Sequence, residues 1–207
     1  MRHFGLTRTL AGGCVAAGVA ILSFAAPLGI TSPALAITSQ PSSAPVDIAK
    51  RCGSRPLQAS YRAKTAFNKA LKKYKSCLKR RADASTDEQL YATGYALAKA
   101  GAYADAIDVL GLVRAGDDPR VLTMIGYSIR KSGAVADGMG YYAKALALAP
   151  DYVEAREYLG EAHLQQANIL GAVGELGEIK ARCGTACEAY VELNEQIDRF
   201  VAGETTL

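Results

Sequence analysis

The sequence predicts an all-α solenoid built from about three helix-turn-helix units, and three observations support this. Three stretches of the chain align on Gly94, Gly126 and Gly160, which are spaced by 32 and 34 residues. Within each stretch, small and large apolar residues recur at helical spacing. A period of this length fits two helices and their turns, and three such units are about the minimum that buries a continuous core.

Residues 1–36 have the pattern of a secretory signal peptide. A basic start is followed by an apolar run from Thr9 to Ile30, then by Pro33 and the small residues Ala34-Leu35-Ala36. This order predicts cleavage after Ala36 and export of the remaining chain, so that we expect a periplasmic or secreted protein. An uncleaved membrane anchor is the alternative, because the apolar run is nearly long enough to span a bilayer. Lipidation at Cys14 is disfavoured, because most of the apolar run follows that residue.

Residues 37–55 are rich in Ser and Pro, and we expect them to form a mobile linker. Residues 56–84 then predict a strongly basic amphipathic helix, in which Phe67, Leu71, Tyr74 and Leu78 recur at helical spacing. Between Lys50 and Arg81 there are twelve basic residues and no acidic one, although the whole chain carries a net charge of only +4. The basic arm consists of Lys64, Lys69, Lys72, Lys73, Lys75, Lys79, Arg80 and Arg81.

Two interpretations of this helix remain open. Its apolar stripe docks on the repeats, since the chain from Ala82 onward carries nineteen acidic and ten basic residues. Alternatively, the clustered cations bind a polyanion such as an envelope polymer or an anionic lipid surface. Nucleic acid is not expected as a partner, because aromatic residues do not alternate with the basic ones as they do in RNA-binding modules.

Residues 85–182 resemble the tetratricopeptide repeat, and the resemblance follows the small and large positions of that family. The matching residues are Gly94, Gly126 and Gly160 in the first helices, Ala106, Gly138 and Ala172 in the second helices, their large partners Leu110, Tyr142 and Leu176, and Ala145 and Pro150 at the end of the second unit. Leu90 stands where the family usually has Trp. The segment Arg182–Tyr190 is similar to the C-terminal end of small exported bacterial proteins of this family.

Helix ends are marked by local signals. Ser85 with Glu88 and Thr185 with Glu188 predict capping boxes, Asp118-Pro119 predicts a helix start, and Gly101 and Gly133 predict left-handed turns between paired helices. Residues 183–207 predict a final helix, from about Ala186 to Val201, that covers the open end of the stack.

Four cysteines remain after the predicted cleavage. We predict the disulfides Cys52–Cys77 and Cys183–Cys187, because each pair lies within one local segment and the predicted compartment is oxidising. Two alternatives use the same thiols. Cys183 and Cys187 form a thiol–disulfide exchange pair, or all four thiolates bind zinc; the spacings disfavour both.

The resemblance implies that the first helix of each unit lines a concave face that binds an extended peptide or a helix. The implied residues are Glu88, Tyr91, Tyr95, Lys99, Thr123, Tyr127, Arg130, Lys131, Glu157, Glu161 and Gln165. The competing interpretation is that the protein's own basic helix fills this face.

No catalytic constellation is evident. His163 is the only His after Ala36, and its position in the repeat predicts a packed imidazole rather than a general base. We expect a non-enzymatic periplasmic scaffold that binds another polypeptide and takes no cofactor, metal or small-molecule substrate. Polyanion binding and thiol–disulfide exchange are the alternatives.

Overall fold

The computed structural model describes residues 37–48 and 50–204, which fall within one compact unit. The predicted signal peptide, its cleavage site at Ala36 and the lipidation alternative at Cys14 lie outside them. Over the described residues the secondary structure is helical, with no strand. The helices are α1 (Lys64–Ala82), α2 (Asp87–Lys99), α3 (Tyr103–Leu110), α4 (Pro119–Lys131), α5 (Val135–Leu148), α6 (Val153–Gln165), α7 (Ile169–Cys183) and α8 (Glu188–Val201), preceded by 3-10 turns at Lys50–Cys52 and Gln58–Ser60.

The helices from α2 to α7 form three consecutive pairs, and α8 packs on the last pair. The first helices of neighbouring units also contact one another, from α2 through α4 and α6 to α8, so they form one continuous face. The second helices α3, α5 and α7 lie on the outside. The predicted all-α solenoid of helix-turn-helix units is therefore confirmed.

Glycines in the first helices permit close helix packing. A Cβ atom on Gly94 would overlap Leu110 of the same unit, and one on Gly126 would lie 2.9 Å from the Tyr142 ring. Gly160 differs, because its neighbour is Leu193 of α8. The capping helix therefore fills the place that a second-helix residue fills in the first two units.

The main hydrophobic core runs through the first two units and is rich in tyrosine. Leu90, Tyr91, Leu110, Met124 and Tyr142 are fully buried there. A second cluster at the C-terminal end packs α8 against α6 and α7. Because the chain contains no Trp, tyrosine rings supply the large buried surfaces, and their hydroxyl groups need hydrogen-bond partners.

Helix ends follow some of the predicted signals and shift others by one residue. Asp118 caps α4, and Gly101 and Gly133 adopt φ of +79° and +99°, as predicted. The predicted box at Ser85 is wrong by one residue: Thr86 and Gln89 form it. Thr185 does not cap α8 either, because α8 begins at Glu188 with Cys187 at the N-cap.

The basic helix is shorter than its sequence pattern suggested, since α1 begins at Lys64 rather than near Leu57. The predicted disulfide Cys52–Cys77 is present, with 5.8 Å between the Cα atoms, and it explains the difference. Cys77 lies thirteen residues into α1, about 20 Å from its start. The chain after Cys52 must therefore run back along α1, which a continuous helix from Leu57 would prevent. Cys183–Cys187 is bonded as well.

Candidate functional site

The concave face, formed by the exposed sides of α2, α4 and α6, holds the segment 37–48 of the same chain. Two carboxylates bind its backbone: Glu88 accepts a hydrogen bond of 2.7 Å from the Ser42 amide, and Glu154 accepts one of 3.1 Å from the Ser39 amide. Thr93 Oγ1 accepts a third, of 2.8 Å, from the amide of Val46. The segment has no helix or strand of its own, so its backbone groups take their partners from the groove.

Further contacts hold both ends of the segment. The buried Tyr91 hydroxyl donates to the Ser39 carbonyl, and Gln40 Nε2 donates to the Tyr95 hydroxyl at 3.2 Å. At the other end, Ile48 is buried in the main core and Val46 packs against it. This segment is therefore packed on the fold, which corrects the expectation of a mobile linker for its first twelve residues.

The basic helix does not fill the concave face, contrary to the competing interpretation. Tyr74 donates a hydrogen bond of 2.6 Å to Asp105, and Lys75 pairs with Asp108 at 2.8 Å. Both aspartates belong to α3, an outer helix, so α1 is held on the opposite side of the first unit. Burial and the hydrogen bond to Asp105 raise the pKa of Tyr74, so the phenol remains a proton donor.

Four of the predicted groove residues are buried and structural rather than exposed. Arg130 is 2% exposed, and it donates to Tyr142 and Gln165 and pairs with Glu161, joining α4 to α6. Tyr91 is buried under the segment, and Glu157 is also buried. Thr123, named with them, is buried too and bonds the Pro119 carbonyl.

The remaining predicted groove residues are half-buried or exposed: Glu88, Tyr95, Lys99, Tyr127, Lys131, Glu161 and Gln165. Lys99 lies among three tyrosine rings, 5.8 Å from the centroid of Tyr95, 5.3 Å from Tyr127 and 5.6 Å from Tyr158. It also donates to the Tyr158 hydroxyl at 3.2 Å. These aromatic contacts place the ammonium at the centre of the concave face.

Sequence reasoning missed Glu154 and Thr93, the two other side chains that hold the segment. The repeat alignment indicates Glu154, because it lies six residues before Gly160 just as Glu88 lies six residues before Gly94. The second unit has Arg120 at this position, and Arg120 pairs with Glu88 at 3.0 Å. The repeat alignment thus contains a row of charged residues along the groove.

The two carboxylates differ in their electrostatic surroundings. Burial alone would raise the pKa of Glu88, but hydrogen bonds from Ser42 and Arg120 outweigh it and lower the pKa below 4.5. At Glu154 burial prevails over the hydrogen bonds from Ser39 and Thr38, so its pKa is raised. Glu88, which binds the middle of the segment, is therefore the easier of the two carboxylates to ionise. Glu154, which binds its start, is the harder one to ionise.

The basic arm presents its charges to solvent. All eight of its basic side chains are exposed, and within the described chain only Lys75 forms an ion pair. His163 is half-buried and lies 3.1 Å from the Asn168 side chain, against Gly171. No helix of the described residues is long and apolar enough to cross a membrane. Nor does that part of the chain group three or more side chains in a metal-binding arrangement.

The paired helices, the glycine contacts and the groove along the first helices define a helical-repeat protein whose fold is like that of the tetratricopeptide repeat. No family model matches the chain, and no curated protein matches it. Among solved structures, it is similar to PcrH in complex with the chaperone binding region of PopB, at 22% identity and a TM-score of 0.46, over 55% of this chain and 93% of that one. It is also similar to the MamA RS-1 ArsTM double mutant, at 20% identity and a TM-score of 0.44, over 65% of this chain and 69% of that one.

Proposed function

We propose that this protein is an exported, non-enzymatic module that binds, on its concave face, a segment of another polypeptide that lacks regular secondary structure. One observation carries the proposal: the face already holds a peptide without helix or strand, the protein's own residues 37–48, through side chains that bond its backbone. Such contacts bind backbone groups that no helix or strand satisfies, and they leave the peptide sequence comparatively free.

The chemistry of the groove specifies the kind of partner. Glu88, Glu154 and Thr93 accept hydrogen bonds from backbone amides spaced three and four residues apart, at Ser39, Ser42 and Val46. Apart from Gln40, which donates to Tyr95, the intervening side chains of the bound segment are small or are prolines. The partner segment is therefore without helix or strand, uncharged between its anchor points, and able to place an apolar residue where Val46 packs.

The protein's own segment competes with any such partner. Because it is covalently attached, its effective concentration at the groove is on the order of millimolar. A partner must therefore bind more tightly than the segment does, or reach a protein whose segment has been displaced. The resident segment sets a threshold for binding.

The test weakens the resident segment without changing the groove. In Ser39→Pro/Ser42→Pro/Val46→Pro, each substitution removes an amide that donates to the groove. A labelled peptide of residues 37–48 should bind this variant saturably, with at least tenfold higher affinity than wild type, as measured by fluorescence anisotropy. Ala44→Pro is the matched control, because Ala44 is exposed and it should bind like wild type.

Adding Glu88→Gln/Glu154→Gln to the triple proline variant should lower the peptide affinity about 30-fold, because the uncharged amide oxygens accept weaker hydrogen bonds than the two carboxylates do. The proposal fails if the triple variant, shown to be folded by circular dichroism, does not bind the peptide at millimolar concentration. It also fails if the glutamine substitutions leave the affinity unchanged.

A second function is supported by the exposed basic arm. Seven of its eight basic side chains make no ion pair with the described residues, which leaves them available to an anionic polymer or lipid surface. Replacing Lys69, Lys72 and Lys73 by Gln should abolish binding to vesicles containing anionic lipid, and wild-type binding should fall steeply with salt. Unchanged vesicle binding would remove this candidate.

A further inference from the structure

A cavity of about 240 Å³ lies where the segment 37–48 enters the concave face. Its walls come from the start of that segment, from α2, from α6 and from the beginning of α8. The titratable and charged side chains that face it are Tyr95 and Lys99 of α2, Glu154, Glu157 and Tyr158 of α6, and Glu188 and Glu192 of α8. Four carboxylates thus face a single ammonium group.

Two of these carboxylates lack a cationic partner. Glu157 is 4% exposed, and its side-chain hydrogen-bond partner is another carboxyl group, Glu192, rather than a cation. Glu154 uses one oxygen to accept hydrogen bonds from Ser39 and Thr38, while its Oε2 is buried with no partner. Lys99 is held by Tyr158 and the tyrosine rings instead. A buried carboxylate without a cation or donor is strongly disfavoured.

These surroundings affect the ionisation of Glu157. Burial, followed by the charges of Glu161 and Glu192, raises its pKa well above 4.5. The carboxylates that line the cavity therefore outnumber its one cation, Lys99. The described carboxylates do not come together in a metal-binding arrangement.

Ile37 lines this cavity and directly follows the predicted cleavage site at Ala36. Hydrolysis of the Ala36–Ile37 peptide bond by a signal peptidase consumes one water, leaves a carboxylate on Ala36 and an amine on Ile37. At neutral pH that amine takes up a proton and becomes an ammonium. We propose that the α-ammonium of Ile37 binds in this cavity to Glu154 and Glu157, so that cleavage completes the docking of segment 37–48 on the concave face.

The inference rests on the export and cleavage in the proposed function, and it adds a consequence of cleavage. Before cleavage, the nitrogen of Ile37 is an uncharged amide that cannot neutralise two carboxylates. After cleavage, the same atom is a cation with three hydrogen-bond donors. The mature chain should therefore hold its own segment in the groove more firmly than an N-terminally extended chain does.

The first measurement is the pKa of the α-amino group, by NMR on the chain that begins at Ile37 with ¹⁵N-labelled isoleucine. An unperturbed α-amino group titrates at about 7.7–8.0. We expect a value at least one unit higher, because the two carboxylates favour the protonated form. Glu154→Gln/Glu157→Gln should return it to the ordinary range. Glu195→Gln, at an exposed position of α8, is the matched control and should leave it raised.

The second measurement compares this chain with the same chain acetylated at Ile37. An amine whose pKa is raised on folding stabilises the fold below its unfolded pKa, and the effect is lost as pH rises through its folded pKa. Acetylation should therefore lower Tm by several degrees at pH 6.5 and leave it nearly unchanged at pH 10. Glu157→Gln should raise Tm at pH 6.5 in the acetylated chain, because it removes a buried carboxylate, and should not raise it in the free-amine chain.

Three results would overturn the proposal: an α-amino pKa within 0.3 of the ordinary range, an equal effect of acetylation at both pH values, or a raised pKa that the glutamine substitutions do not change. N-terminal sequencing of the exported protein is a separate check, and a mature chain that begins elsewhere would also refute it. None of these experiments involves a partner, so their failure would leave the proposed peptide binding standing. If peptide binding failed instead, the α-amino pKa and the effect of acetylation on Tm would still test the binding of the Ile37 ammonium.

Discussion

The two parts of the chain that precede the repeats are attached to them in opposite ways. Segment 37–48 has no regular secondary structure, yet groove side chains bond its backbone and its end enters the core. Helix α1 is regular over nineteen residues, yet most of its side chains are exposed. A helix satisfies its backbone internally and needs only one docked stripe, whereas a segment without helix or strand depends on the surface that receives it.

Among the changes that test this comparison, removal of a disulfide should cause the largest loss in the free energy of unfolding. Cys52→Ser/Cys77→Ser removes a link across 25 residues, and loop-closure entropy predicts a loss of about 3.5 kcal/mol in the free energy of unfolding. Cys183→Ser/Cys187→Ser spans only four residues and should lose about 2 kcal/mol. Urea denaturation measures both. Equal losses would mean that the first disulfide does not hold α1 and the chain before it to the fold.

Leu78 tests how α1 is docked. Its side chain is 1% exposed, so Leu78→Ala should reduce the free energy of unfolding by about 3 kcal/mol. Leu71→Ala, on the same helix at a half-buried position, should lose clearly less. Thermal or urea denaturation distinguishes them. If the two variants were equally stable, α1 would not be attached through its Tyr74–Leu78 stripe.

Segment 37–48 should respond to groove substitutions that leave α1 unaffected. Glu88→Gln/Glu154→Gln weakens charge-assisted hydrogen bonds, with an expected local loss of about 2 kcal/mol. Amide hydrogen exchange at Ser39 and Ser42 should then accelerate about 30-fold, since exchange reports local opening. Exchange in α1 should stay unchanged. Equal acceleration in both regions would show that the segment and α1 unfold together.

Acidification should have the smallest effect on how firmly segment 37–48 is held. Because the pKa of Glu88 lies below 4.5 in the folded protein, its contribution is present above that pH and is lost as pH falls through its folded pKa. The NMR shift of the Ser42 amide should follow this transition. In Glu88→Gln the shift should be independent of pH between 5 and 3. A wild-type midpoint above 4.5 would contradict the proposed ionic anchor.

The repeat architecture was predictable because its signals are local and periodic. Gly94 and Gly126 stand opposite large residues in each helix pair, and Gly101 and Gly133 take left-handed conformations between the pairs. The disulfide pairs were predictable for the same reason, since each joins cysteines of one segment. Cap positions were less reliable, because Ser85 and Thr86 both offer a hydroxyl and one residue decides between them.

Long-range contacts decide which of the predicted groove residues are accessible to solvent. Arg130 is a surface residue by its pattern, but Tyr142, Glu161 and Gln165 surround it from two other helices. Glu157 is buried beneath α8 and the start of the described segment, neither of which is near it in the chain. A charged residue in one helix does not reveal which neighbours will cover it.

The sequence by itself determined the helices, their pairing and their turns, because helical periodicity, small residues and left-handed glycines act over a few residues each. Only the tertiary structure decided what occupies the concave face. The Ser- and Pro-rich composition of residues 37–48 predicts a linker, since nothing local satisfies that backbone. Its partners are Glu88, Thr93 and Glu154, from 46 to 115 residues away, and they come together only when the stacked repeats form the groove.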